Sequence, residues 1–360
     1  MLDKMTSNRL KAVAFVCALL VVTIHSWSPS AWCNAEKAVA GGWTEWQAAI
    51  AFLLSCTISR IAVPCFFVMT GFFLSLNYRK AVVESADKTT TIKWYAELLK
   101  KRFRTIYVPF VIWNTVNLIL CLLWGKYDFN SISESAARLF GWNVYISPSC
   151  MQFWYLQSII IWVLLSLVFM PLLKSRIVQV IALAITGVVW QCGYFETPYA
   201  ISSWAFFWLL VGTAVAYNMP MIARAGIALR KTPARLVLLT LFLIVIAMRV
   251  VIGVKLNRHG FTTLENVLVP LGVLAMFVNA DILERCLRSV RSCFGLTFFI
   301  YAFHTIIISI LVMISNKLAF TGFVSMLVKM FGAMAISVVV GLLMRRMMPK
   351  VLTILTGGRM

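Results

Sequence analysis

The chain has 360 residues, of which 61% are apolar and only 12% charged, yet its formal net charge is +21. That balance excludes a soluble globular protein and leaves too little polar sequence for a second, soluble domain, so residues 1–360 read as a single membrane domain. The fold class that follows is an all-α polytopic bundle of about ten transmembrane helices, because a helix satisfies its own backbone polar groups inside hydrocarbon.

In chain order the apolar segments run over 12–29, 47–76, 105–124, 153–173, 177–192, 199–218, 236–254, 262–280, 294–316 and 322–344. Most approach the roughly 20 residues that a helix needs to cross a bilayer. The fifth, IVQVIALAITGVVWQ, is short and contains two glutamines, but omitting it would put basic loops on both faces. Basic residues set the orientation. One side collects Lys4, Arg9 and Lys11, then Lys100, Lys101, Arg102 and Arg104, then Arg345, Arg346 and Lys350; the other keeps few, among them Lys37, Arg138 and Lys317, with Arg249 near a helix end. Both termini are therefore expected on the cytoplasmic side, and the positive charge reads as topology plus attraction to anionic membrane lipids rather than nucleic-acid binding. The nine cysteines show no metal-binding spacing; Cys33, Cys150 and Cys192 would face outward, and their pairing cannot be read from the sequence.

Ionisable residues inside the spans are informative because each is costly there unless paired, hydrated or used. His25 lies near the end of the first span, Arg60 in the second, Glu265 at the start of the eighth, His304 in the ninth and Lys329 in the tenth. At 1.5 Å per residue His25 stands roughly 20 Å from Lys11, and His304 about as far from Arg291, so the two imidazoles should share a level. Arg60 should lie roughly 20 Å below Trp46, nearer the cytoplasm. Pro64, Pro109 and Pro270 release the carbonyls of Arg60, Thr105 and Asn266 from the helix ladder, and opened helices often line cavities. Taken alone, the same pattern also fits a kinked helix in which Arg60 bonds a neighbouring carbonyl.

Two segments, AFVCALLVVTIHS ending at Ser26 and SRIAVPCFFVMTG ending at Gly71, resemble the opening of the family 3 membrane acyltransferases. Further matches follow in order: KRFRTIYVPFVIWN over 101–114, FWYL over 153–156 and FIYAFH ending at His304. The resemblance implies a bacterial inner-membrane enzyme that moves an acyl group, here expected to be acetyl, from cytoplasmic acyl-CoA to a hydroxyl of a lipid-linked or surface polysaccharide such as lipopolysaccharide. No cofactor is expected to be bound permanently; acetyl-CoA is the donor substrate. By this reading His25 is the general base and Arg60 steadies the thioester or a developing oxyanion. Lys100, Lys101, Arg102 and Arg104 would meet the CoA phosphates. His304, Trp113, Asn114, Trp154, Gln157 and Glu265 are candidates for binding substrate. Each has a plainer reading: topology for the basic run, packing for the tryptophans, a carbonyl-bonded bundle histidine for His304, and a water-facing carboxylate for Glu265.

The chain departs from the family where an arginine usually stands eleven residues before the histidine; here that position is Ala14. Lys11, fourteen residues before His25, is only about 40° off the same helix face, so its long stem is the expected substitute. A transporter of a lipid-linked saccharide or small solute is the leading alternative, since opened helices and a polar column suit it too. A non-catalytic envelope assembly protein is the third reading.

Overall fold

The computed structural model describes residues 4–27, 34–84, 90–125, 131–193, 199–255, 262–320 and 322–359. No β-strand occurs among them. The helices are α1 (Lys4–Ser26), α2 (Ala35–Ala40), α3 (Glu45–Ala51), α4 (Ala62–Tyr78), α5 (Thr91–Arg102), α6 (Val108–Leu123), α7 (Ile132–Phe140), α8 (Trp154–Leu172), α9 (Arg176–Gln191), α10 (Ser203–Tyr217), α11 (Met219–Leu229), α12 (Thr232–Lys255), α13 (Thr262–Val278), α14 (Ala280–Cys286), α15 (Thr297–Lys317), α16 (Gly322–Met347) and α17 (Pro349–Thr356). A π-helical turn, Phe52–Thr57, and a 3-10 turn, Ile58–Ile61, join α3 to α4; a second π-helical turn, Phe103–Tyr107, joins α5 to α6.

All ten predicted segments are helical over most of their length. Among the described residues, seven continuous stretches are long and apolar enough to cross a membrane: Lys4–Ser26, Glu45–Val83, Thr91–Leu123, Met151–Leu172, Thr232–Val254, Arg288–Lys317 and Gly322–Met347. Two bent pairs raise the number to nine if each is one span: Ser203–Tyr217 with Met219–Leu229, bent by 97°, and Leu264–Val278 with Ala280–Cys286, bent by 62°. The remaining segment is α9, apolar but short. The chain is thus an all-α polytopic membrane protein. Of the cysteines read as outward, Cys150 and Cys192 are free thiols and Cys33 lies outside the described residues; Cys56 is disulfide-bonded.

Two compact units share the chain, one built from residues up to Cys65 with Ala223–Pro349, the other from Phe66–Ile222 with Lys350–Arg359. In the first unit α1 is surrounded by α15, α16, α14 and the irregular turns Phe52–Ile61. Its sequence explains that position. Ala12, Val13, Phe15, Cys17, Ala18, Val21 and Val22 are all buried, on every side of the helix, as an apolar helix at the centre of a bundle requires. Lipid is as apolar as leucine, so helices here associate through close packing more than through the hydrophobic effect. Two glycines of α16 serve that packing: a Cβ on Gly332 would meet Leu311 at 2.9 Å, and one on Gly341 would meet Leu296 and Phe299 at 3.1 Å. These contacts also fix the antiparallel register of α15 and α16.

In the second unit α4 and α10 approach through a reciprocal glycine pair. A Cβ on Gly71 would fall 2.0 Å from the Leu209 carbonyl oxygen, and one on Gly212 would fall 2.0 Å from that of Val68. One turn further the Ser75 hydroxyl donates to Thr213 at 3.0 Å, a polar tie within the same interface. α5 and α10 contact α8, α9 packs on α10, and Phe67, Trp154, Tyr155 and Trp204 form an aromatic cluster.

Candidate functional site

His25 and His304 meet in the first unit. Their ring centroids lie 5.2 Å apart with planes inclined by 42°. Both stand on unbroken helices, α1 and α15, so the height count from sequence leads to one level. The rings are not equivalent. His304 is wholly buried, and its Nδ1 lies 3.2 Å from the Ile300 carbonyl oxygen. A carbonyl can only accept, so Nδ1 carries the proton and Nε2 keeps its lone pair. That Nε2 has no hydrogen-bond partner. His25 is half-buried and is the more accessible ring of the pair. Stepping five residues along α16 from Gly332, which meets Leu311, brings Ser337 to within two residues of the level of His304. Its hydroxyl is buried and unpartnered too.

The irregular turns are pinned beside this pair. Ser55 Oγ–H donates to the carbonyl of Thr23 at 3.0 Å, two residues before His25. The π-helical turn leaves the Cys56 carbonyl open, and Arg249 of α12 fills it, donating from Nε at 3.3 Å and Nη2 at 3.2 Å. Arg249, only 5% exposed, also pairs with Glu265 at 2.8 Å. Arg60 reaches the other carboxylate oxygen of Glu265 at 3.7 Å. One carboxylate thus lies between two guanidiniums. This corrects the sequence picture, in which Arg60 stood low in the membrane and Glu265 near the opposite surface. The π-helical and 3-10 turns of Phe52–Ile61 change the winding of the helix and so the direction in which Arg60 points.

The sequence places Arg249 near the end of an apolar run, where an arginine is itself a signal of a polar partner. Lys11, the proposed substitute for a family arginine, is exposed at the start of α1, and Ala14 is half-buried.

In the second unit a pocket of about 730 Å³ is lined by Lys100, Arg102 and Arg104 together with apolar residues that include Phe103, Ile106, Tyr107, Ile160 and Val163. Lys101, predicted beside them, is exposed and does not line it, since one residue along a helix turns the side chain by about 100°. The Thr105 carbonyl, which the sequence marks as released by Pro109, accepts from Arg359 Nη2 at 2.9 Å. Burial, and then the like charge of Arg102, push Arg359 down to about 10, with Tyr155 acting in the opposite sense. A basic pocket with a greasy wall is chemically suited to an anionic ligand bearing an apolar arm.

Of the remaining expected residues of this unit, Trp113, Asn114 and Trp154 have structural partners. Trp113 Nε1–H donates to the Leu355 carbonyl at 3.0 Å and helps to seat α17. Asn114 donates to the Phe110 carbonyl and accepts from the Cys150 amide, each at 2.8 Å, fastening the chain ahead of α8 to α6. Trp154 packs in the aromatic cluster. Gln157 is buried, and its amide nitrogen has no partner.

The sequence profile described as acyltransferase domain, that of acyltransferase family 3, matches residues 8–346. The chain belongs to this family. The match begins within α1 and ends within α16, so it contains the histidine pair, the Arg–Glu–Arg cluster and the basic pocket. No curated protein and no solved structure matches the chain significantly. The protein is therefore a multi-pass membrane acyltransferase.

Proposed function

We propose that this acyltransferase moves an acetyl group from acyl-CoA to a hydroxyl of a lipid-linked or cell-surface polysaccharide, in a bacterial cytoplasmic membrane with both termini inside. The observation that carries the reading is the pair of imidazoles 5.2 Å apart in a bundle interior, one of them with an open Nε2. Neutral imidazole takes a proton from a sugar hydroxyl as the oxygen attacks the thioester carbonyl; the C–S bond then breaks and the CoA thiolate leaves and is protonated. His25, the accessible ring, is the general base. His304, whose ring lies beside that of His25, is the positioning residue. Arg60, restrained by Glu265, is the candidate for stabilising the oxyanion. The pocket lined by Lys100, Arg102 and Arg104 supports an acyl-CoA donor, whose phosphates require cations. Lys11 supplies positive charge at the start of α1 in place of the family arginine.

The experiment uses membrane vesicles given labelled acetyl-CoA on the cytoplasmic face. Label appearing on glycan is the expected result. Glycan crossing the membrane unlabelled would instead favour a transporter, and the proposal would be withdrawn.

A further inference from the structure

Ser315 Oγ and Trp27 Nε1 in the first unit are buried without an acceptor, and the largely buried Lys329 belongs with them. Lys329 of α16 is 7% exposed and has no hydrogen bond or ion pair among the described residues. Ser315 Oγ of α15 and Trp27 Nε1, just beyond α1, are likewise buried and unpartnered. Serine inside a helix ordinarily turns its hydroxyl back to the carbonyl four residues earlier, as Ser26 does here to Val22 at 2.7 Å; Ser315 does not.

The three belong together by register. Gly332 faces Leu311, so three residues back along α16 and four residues on along the antiparallel α15 bring Lys329 and Ser315 to one level, within about 2 Å along the axes. Trp27 shares a packed cluster with Met326, and Lys329 follows Met326 by three residues on the same helix face. Ser315 also follows His304 by eleven residues, about three turns, and so stands on the same face of α15 roughly 16 Å further along. Glu265 already serves Arg60 and Arg249, and Glu36 and Glu45 on the neighbouring α2 and α3 are exposed.

An ammonium held inside a transmembrane bundle costs several kcal/mol unless something compensates it. Lysine and tryptophan side chains only donate, and an unpaired cation accompanied by two further donors is complementary to an anion. A thioester carries no charge, so this site does not suit the reacting end of the donor. We propose that Lys329, Ser315 and Trp27 bind an anionic group, a phosphate or a carboxylate, carried by the acceptor. Calling that ligand the acceptor rests on the acyltransferase reading; the existence of an anion site does not. The axial separation from His304 puts the anion and the reacting hydroxyl on different parts of one ligand.

The test uses the full chain in dodecyl maltoside micelles and reads thermal unfolding as dodecyl phosphate or dodecyl β-glucuronide is added, with extra dodecyl maltoside as the neutral control. One or both anionic amphiphiles should raise the Tm of the wild-type protein by a few degrees, and the arm that does so tells phosphate from sugar carboxylate. The rise should vanish in Lys329→Met and persist in Lys329→Arg. Without amphiphile, Lys329→Met should be at least as stable as the wild type, because an uncompensated charge has been removed. An equal rise in Lys329→Met, no rise beyond the neutral control in the wild type, or a marked loss of stability in unliganded Lys329→Met would overturn the proposal. Since no acyl transfer is measured, failure here and failure of the labelled-donor experiment are distinguishable.

Discussion

His304 holds its ring with one nitrogen and leaves the other open, whereas His25 meets the bundle interior with no comparable anchor. Their variants should differ accordingly. Removing a general base lowers turnover by about 10²–10⁴-fold, the loss expected for His25; His304→Ala should cost less, of the order of tenfold, because it removes only a support. Steady-state kinetics on both variants check this, and an equal or larger loss for His304→Ala would exchange their roles. Glu265 gives a stability prediction. Neutralising it as Glu265→Gln strands Arg249, 5% exposed, beside Arg60, and should lower stability by roughly 3 kcal/mol, measured by unfolding in micelles. An unchanged midpoint would mean that the Cys56 carbonyl alone satisfies Arg249. At this scale the sequence revealed the histidines, since each lies on an unbroken helix whose length converts directly to height. It did not reveal the Arg60–Glu265–Arg249 cluster, because that arrangement depends on a helix that changes its winding between Phe52 and Ile61.

Irregular turns in this protein free backbone carbonyls, and arginines take them up. Pro109 releases Thr105, which Arg359 occupies; the π-helical turn ahead of Pro64 releases Cys56, which Arg249 occupies. The prolines were legible as breakers, but their partners lie far off in the chain and carry no local signal. Glycine contacts are similarly silent in sequence: Gly71 and Gly212 resemble any other glycine in an apolar run until the backbones are seen to touch. Gly212→Leu cannot fit against the Val68 carbonyl and should force α4 and α10 apart. The yield of folded protein in micelles should fall severely, whereas Gly226→Leu, at a position where an added Cβ meets nothing within 4 Å, should leave yield unchanged. Equal yields for the two would show that the α4–α10 contact is not needed.

For the whole molecule, composition and the length of the apolar runs were enough to read an all-α membrane protein, and the spans fell at helices. The bends within α10–α11 and α13–α14 were not legible, because an apolar run has the same composition whether straight or folded on itself. Orientation follows from the basic residues and is open to direct test. Cysteines placed at Lys93 and Arg230 should react with a membrane-impermeant thiol reagent only from the cytoplasmic side, and those at Ser131 and Lys317 only from the other. Reversed labelling would put the donor pocket on the wrong face. The central claim is that the histidine pair performs acyl transfer, and its most direct measurement is the appearance of label from acetyl-CoA on glycan in sealed vesicles carrying wild-type or His25→Ala protein at matched folded amounts. The account predicts labelled glycan for the wild type and a loss of about 10²-fold or more for the variant, with binding of acetyl-CoA retained. Labelling by His25→Ala at the wild-type rate would contradict it.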